Sequence, residues 1–462
     1  MKLRKSIKRG INPLNALFFH IGLGVFAYFF RGLMPVYVIG LIFYFIYRFL
    51  TKKDKELEVL LACAYMAGGE VFFRMTKAMF FYETGKYAVI LFLLFGMFYT
   101  GFKRRATPYL FYIILLLPGM IGTYSYFAND LFLFRKTVLF NLSGPLCLMA
   151  SALYCYGRQI KLSAMFRILN ALVYPLIAMT VYLYLYNPSI QEVVTSTASN
   201  AATSGGFGPN QVATALGLGV FILFTRFLLP YKNKWEHYIM QFFLIAMAHR
   251  ALLTFSRGGV YVAILMALAF VGIVFWRGGL HLKGKILRNT LLSLLTTLLI
   301  WSVAVVQTGG LLGNRYANED ALGREKEDIT TGRVDLLYTE LEAFTENPVL
   351  GVGFGVSKLY FLENLGVALP THNEISRLLS EHGLFGIIAL CIILGAPLIR
   401  KLQGQRNLYF YPFLIFAFLT MAHSSMRIAL PGFIYGLALL HLTYGKKKTG
   451  SPVPWQSLAK TW

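Results

Sequence analysis

Acid and cysteine are both scarce: 462 residues carry 20 Asp and Glu against 44 Lys and Arg, with four cysteines. Cys63, Cys147, Cys155 and Cys391 fall inside apolar runs without CxxC spacing. This excludes a disulfide framework and a thiolate metal site. Charge of either sign is only 14% of the chain, far below the quarter or so typical of soluble domains. Apolar and polar residues do not alternate in dyads, which excludes a membrane β-barrel. No small-residue cleavage site follows the basic N-terminus and the run Leu14 to Phe30. That run is therefore expected to stay as a first span and not to leave as a signal peptide. The inverted repeats found in many transporters are also missing.

What the chain does have is apolar length. Hydrophobic residues make up 57% of it, in runs such as Tyr109 to Phe127 and Gly258 to Trp276. A helix rising 1.5 Å per residue needs roughly 20 of them to cross a bilayer. Spans are expected near 13–30, 33–50, 57–75, 86–102, 109–127, 137–156, 167–186, 210–229, 235–254, 258–276, 289–307, 384–399, 408–424 and 429–445. The fold class is thus all-α, a polytopic transmembrane bundle of about fourteen spans.

The formal charge of +24 would suggest nucleic acid in a soluble chain, but its placement argues otherwise. The cations gather in alternate short loops: Lys2 to Arg9, Lys52 to Lys55, Lys103 to Arg105, Arg158 with Lys161, Lys232 with Lys234, Arg277 to Arg288, Arg400 to Arg406, and Lys446 to Lys448. This is positive-inside sorting, with both termini cytoplasmic and no nucleic-acid partner.

Two outward segments remain. Residues 187–209 are rich in Ser, Thr, Ala, Asn and Gly and lead through Gly205, Gly206, Gly208 and Pro209 to Asn210. Residues 308–382 read as a folded periplasmic cap. In it Thr331 is placed to cap a helix with Val334, Leu337, Leu341 and Phe344 at helical spacing. Asn347-Pro348 ends that helix, and Gly351, Gly353 and Gly355 allow a tight turn. Thr371 is expected to cap a further helix, Asn373 to Glu381, leading into the next span.

Outward cations need a reason, since sorting should have removed them. Arg257 begins a span, and Arg250 lies seven residues earlier, on the same face if helix continued between them. A guanidinium there can snorkel, or it can grip phosphate oxygens bidentately. Glu70 and Arg74, four apart, can pair on one helix face. Lys77 and Lys86 show no evident partner in the sequence and could draw anions. The strongest pattern is His372-Asn373, nine residues, then Gly383-Leu384-Phe385-Gly386. A histidine in a first helical turn stays neutral and can accept a proton. The paired glycines permit close packing. His382 and His423, the latter near Arg427, are rivals without the motif's first position.

These residues resemble the O-antigen ligase and polymerase superfamily, whose ligase motif is complete at His372 to Gly386. Gly206 to Asn210, Ser256-Arg257-Gly258, Gly332-Arg333, Asn347-Pro348 and Gly351 to Gly355 agree in order. Such ligases usually have twelve spans, two fewer than this reading. The resemblance implies a type C-like glycosyltransferase fold, with 1–186 an N-terminal bundle and 187–462 a ligase-like region holding the loop 308–382. It implies a metal-independent enzyme of the bacterial inner membrane, without cofactor. That enzyme moves a glycan from undecaprenyl diphosphate to lipid A-core or another glycan acceptor. His372 would be the base and Arg257 the catalytic cation, with Arg333, Asn373, Arg250, Arg74, Lys77, Asn210 and Arg427 binding substrate. A polymerase or protein O-oligosaccharyltransferase would share the motifs. A lipid-linked glycan flippase would not need the cap.

Overall fold

The computed structural model describes residues 12–187, 189–199, 201–228, 233–277, 280–326, 328, 332–366, 371–424 and 426–444. Lys2 to Arg9, Lys232, Thr331 and Lys446 to Lys448 lie outside the described residues. The chain is helical. The first half holds α1 (Pro13–Phe29), α2 (Met34–Thr51), α3 (Lys55–Met75), α4 (Thr84–Thr100), α5 (Pro108–Leu116), α6 (Gly119–Phe127), α7 (Leu131–Cys155) and α8 (Leu162–Tyr186). Then come α9 (Pro209–Leu228), α10 (Lys234–Leu252), α11 (Arg257–Arg277), α12 (Leu280–Gln307), α13 (Leu311–Ala317), α14 (Arg333–Glu346) and α15 (Ser357–Leu365). The bundle closes with α16 (Glu374–Leu402), α17 (Phe410–Ser424) and α18 (Leu430–Ala438).

Each expected span contains helix, and eight helical stretches among the described residues are long and apolar enough to cross a membrane. Phe18, Phe43, Phe98 and Leu299 stand exposed, as side chains facing acyl chains must. The chain is therefore a helical membrane protein. Two runs differ from expectation. The run 109–127 is broken into α5 and α6 around Pro118, which has no N–H to continue the ladder. The run 429–445 is helix only to Ala438, after which strand β2 (His441–Thr443) pairs in parallel with β1 (Gln159–Lys161). Helices pack across residue 186, with α7 against α18 and α5 against α16.

The described residues between 308 and 382 are folded, with corrections. Gly332, at φ 76°, occupies the N-cap of α14. The buried side of α14 is Leu336, Thr339, Glu340 and Ala343, while Val334, Leu337 and Leu341 are exposed. The offset follows from the Ser376 hydroxyl, which donates to Glu340 and turns that polar side toward α16. Gly351, Gly353 and Gly355 all have positive φ, and the turn they form is bound to α16 through Val352 N–H to Ser380 O (2.9 Å) and Gly353 N–H to Glu381 O (3.1 Å).

α16 bends at Gly383, whose φ of 55° and ψ of −134° are not helical. The bend folds the helix so sharply that a Cβ on Gly386 would overlap the Leu378 carbonyl oxygen. We expect Gly386→Ala to destabilise the protein by about 3 kcal/mol, the upper end of ordinary overpacking. Thermal unfolding in detergent measures this, and an unchanged transition would mean that the two arms of α16 can part without cost.

Candidate functional site

The site is built where three helices begin. Arg257 opens α11, Arg333 opens α14, and His372-Asn373 precedes α16. Asn373 caps α16, its Oδ1 accepting from the Ile375 N–H at 2.9 Å. This corrects the expectation that Thr371 caps and that His372 lies in the first turn: the short Asn side chain reaches Ile375, so His372 sits one residue before the cap. The Thr371 carbonyl instead accepts from Arg427 Nη2 at 2.6 Å. Glu374 accepts from Arg377 and from the Met426 N–H (3.4 Å), tying the segment that carries Arg427 to the start of α16. The Ser376–Glu340 bond holds α14, and hence Arg333, against the same helix. Burial pushes the Glu340 carboxyl up to about 8, so it stays largely protonated at neutral pH.

His372 is half-buried, and its Nδ1 has no hydrogen-bond partner among the described residues. Burial first, then the charges of Arg427 and Arg333 and the nearby His423, lower its imidazole from 6.5 to about 4. The ring is thus neutral at physiological pH. His423 joins the group: its Nε2 is 3.4 Å from Thr214 Oγ1, and its ring fills the space where a Cβ on Gly258 would be. His382 does not. It is buried against Phe354 and Gly119, at a centroid distance of 4.6 Å from the Phe354 ring.

Arg257 Nη1 donates to the Arg315 carbonyl at 3.3 Å, and Arg315 Nε donates to the Phe255 carbonyl at 3.2 Å. Burial and the charges of Arg257 and Arg333 weigh against the Arg315 cation. Lys326 is held down by burial, then by Arg315 and Arg257, and its Nζ donates to Thr197 Oγ1 at 2.6 Å. Arg315 and Lys326 were not foreseen. The argument that singled out Arg257, a cation on the side that sorting should have cleared, applies equally to both. Beyond the end of α10 at Leu252, Phe255 adopts φ 56°, a bulky residue in the left-handed region, and its carbonyl accepts from Arg315.

That turn corrects the pairing of Arg250 with Arg257, since helix is interrupted between them. Arg250 is buried below, donating to the Leu183 carbonyl at 2.9 Å beside the Tyr184 ring. Asn210 Oδ1 accepts from Ser256 Oγ at 2.8 Å, fixing the approach to Arg257. Arg74 pairs with Glu70 at 2.5 Å and lies 3.4 Å from Gln211 Oε1, with Tyr82 over its guanidinium. Tyr82 also neighbours Arg427. Lys77 is exposed after α3. Lys86, expected to draw anions at the surface, is buried and paired with Glu83.

Residues 242–391, which hold Arg257, Arg315, Arg333, His372 and Gly386, match the family model described as O-antigen ligase. The match supports the O-antigen ligase superfamily. It covers roughly a third of the chain, and no curated protein matches. A match to that family points in general to a glycosyltransferase-like enzyme acting on lipid-linked glycans. Within the matched residues the cations and the neutral histidine are brought to one place by α11, α13, α14 and the start of α16.

Proposed function

We propose that the protein is a metal-independent glycosyltransferase of the bacterial inner membrane with its active site on the periplasmic side. It transfers a glycan from undecaprenyl diphosphate to an acceptor hydroxyl, and ligation to lipid A-core is the reading favoured first. The observation that carries it is the neutral His372 imidazole beside Arg333 and Arg427, with Arg257, Arg315 and Lys326 adjoining. A histidine acting as general base must be unprotonated, and a diphosphate leaving group must be met by fixed cations. In the reaction the acceptor oxygen bonds to the anomeric carbon while the bond from that carbon to the diphosphate breaks. His372 takes the hydroxyl proton, and the arginines hold the departing undecaprenyl diphosphate. Asn373, Asn210 and Arg427 complete the substrate site, Thr197 and its neighbours line the entrance, and Arg250, Arg74 and Lys77 are the outlying members of the proposed substrate set. We retain 1–186 as an N-terminal bundle and 187–462 as the ligase-like region.

Purified protein is tested with undecaprenyl diphosphate glycan and, in turn, lipid A-core, a growing glycan and a protein acceptor, with and without EDTA. Transfer to lipid A-core that survives EDTA supports the first reading. Chain extension alone would make the enzyme a polymerase, protein modification an O-oligosaccharyltransferase, and no transfer with any acceptor would sink the enzymatic reading. Topology has its own test. Reporter fusions at Asn347 and Lys447 are expected to report opposite sides, external and cytoplasmic, and agreement between them would overturn the topology.

A further inference from the structure

At the far end of α16 from His372, four cations from two stretches of the chain, the α4–α5 loop and the end of α16 with its following loop, converge. Lys103 follows α4, Arg105 lies two residues on, Arg400 is in the last turn of α16, and Arg406 precedes the α17 turn. Lys103 Nζ donates to the Gly157 carbonyl at 2.5 Å. A Cβ on Gly157 would stand 3.3 Å from Lys103 Nζ and 3.4 Å from Arg400 Nη2, so both cations crowd one turn of backbone. Arg400 Nε is buried with no hydrogen-bond partner among the described residues. The neighbouring His441 feels Arg400, Arg406 and Lys103 together, after burial. Lys103 is lowered by burial, then by Arg400, Arg158 and Arg105. The carboxylate close by, Glu56, is engaged by Arg158.

Positive-inside sorting needs cations in these loops but does not need them to meet. Helix C-termini favour a cation each, which accounts for Arg400 at α16 and leaves the gathering of the others unexplained. Guanidinium and ammonium groups held together in this way call for an anion with several oxygens. Beside them Leu398, Ile399 and Leu402 of α16 stand exposed, a bed for acyl chains. We propose that Lys103, Arg105, Arg400 and Arg406 bind the phosphate headgroup of an anionic membrane phospholipid, whose chains lie along the last turns of α16. Such pockets between membrane helices suit lipid phosphates. The site is remote from glycan transfer and does not depend on that reading.

Native mass spectrometry of the full chain in detergent tests it, with phosphatidylglycerol, phosphatidylcholine and inorganic phosphate as probes. The wild type is expected to retain phosphatidylglycerol in preference to phosphatidylcholine. Lys103→Gln with Arg400→Gln should weaken phosphatidylglycerol about thirtyfold, two surface cations' worth. Should that variant misfold, Arg105→Gln with Arg406→Gln, both exposed, should weaken it as much. Lys52→Gln with Lys53→Gln removes equal charge elsewhere and should change nothing. Equal retention of phosphatidylcholine, no loss in either site variant, or an equal loss in the control overturns the proposal. Displacement of the lipid by millimolar inorganic phosphate would assign the cluster to a soluble anion and overturn it too.

Discussion

Replacing His372 with alanine should lower glycan transfer by roughly a hundred- to ten-thousandfold, the contribution of a positioned general base, while donor binding and the folded state persist. Among the described residues the ring's Nδ1 has no hydrogen-bond partner; the ring precedes the cap of α16, and Asn373 supplies the capping oxygen. Glutamine is the informative second variant, because it hydrogen-bonds without accepting a proton. Substantial transfer by His372→Gln would make the residue an orienting group, and near-normal transfer by His372→Ala would remove it from the chemistry. The pH profile adds a signature. With the imidazole at about 4 in the ligand-free protein, the acidic limb of kcat/KM belongs near that pH. A bound diphosphate offsets the charges of Arg333 and Arg427, which raises the imidazole, so the limb of kcat should lie at higher pH. The base then strengthens as the donor arrives.

Arg257→Lys should cost roughly a hundredfold in kcat/KM at equal protein level, the loss seen when one fixed donor to a developing anion is removed. The lysine keeps the charge but not the fork. One arm of the Arg257 guanidinium is directed to the Arg315 carbonyl at 3.3 Å, which orients the group. A flexible ammonium can serve that carbonyl or a phosphate oxygen, not both with fixed geometry. Transfer by the lysine variant at near-normal rate would refute a bidentate role.

Much of this was legible in the sequence because hydrophobic length and short motifs are local signals. The spans fall on helices, and His372, Asn373, Gly383 and Gly386 lie at one bent helix start. Glu70 and Arg74 pair as their spacing implied. What was not legible depended on contacts between distant segments. The partner of Lys86, Glu83, stands only three residues before it and could have been read from spacing, but the burial of the pair under Phe140 and Met426 could not. Thr371 looked like a cap because it is a good one, but Asn373 was nearer the first free N–H. The interruption between Arg250 and Arg257 runs from Leu253 to Ser256 and includes Phe255 in a conformation that its type rarely adopts. Arg315 and Lys326 escaped because no motif encloses them.

The buried charges of α3 and α4 also bear on how the chain enters the bilayer. A lone ionised side chain at the membrane centre costs about 2.5–3.5 kcal/mol on insertion scales, and α3 and α4 carry Glu70, Arg74 and Lys86 with Glu83 just ahead of α4. Yet Arg74 answers Glu70 within α3, and Lys86 answers Glu83 across the first turn of α4. Each charge is neutralised by a neighbour made within moments of it on the ribosome, before any later helix exists. The pair can therefore partition as a nearly neutral hairpin, and the tie from Glu70 to the Ala429 N–H is added when the last helices arrive to close the bundle.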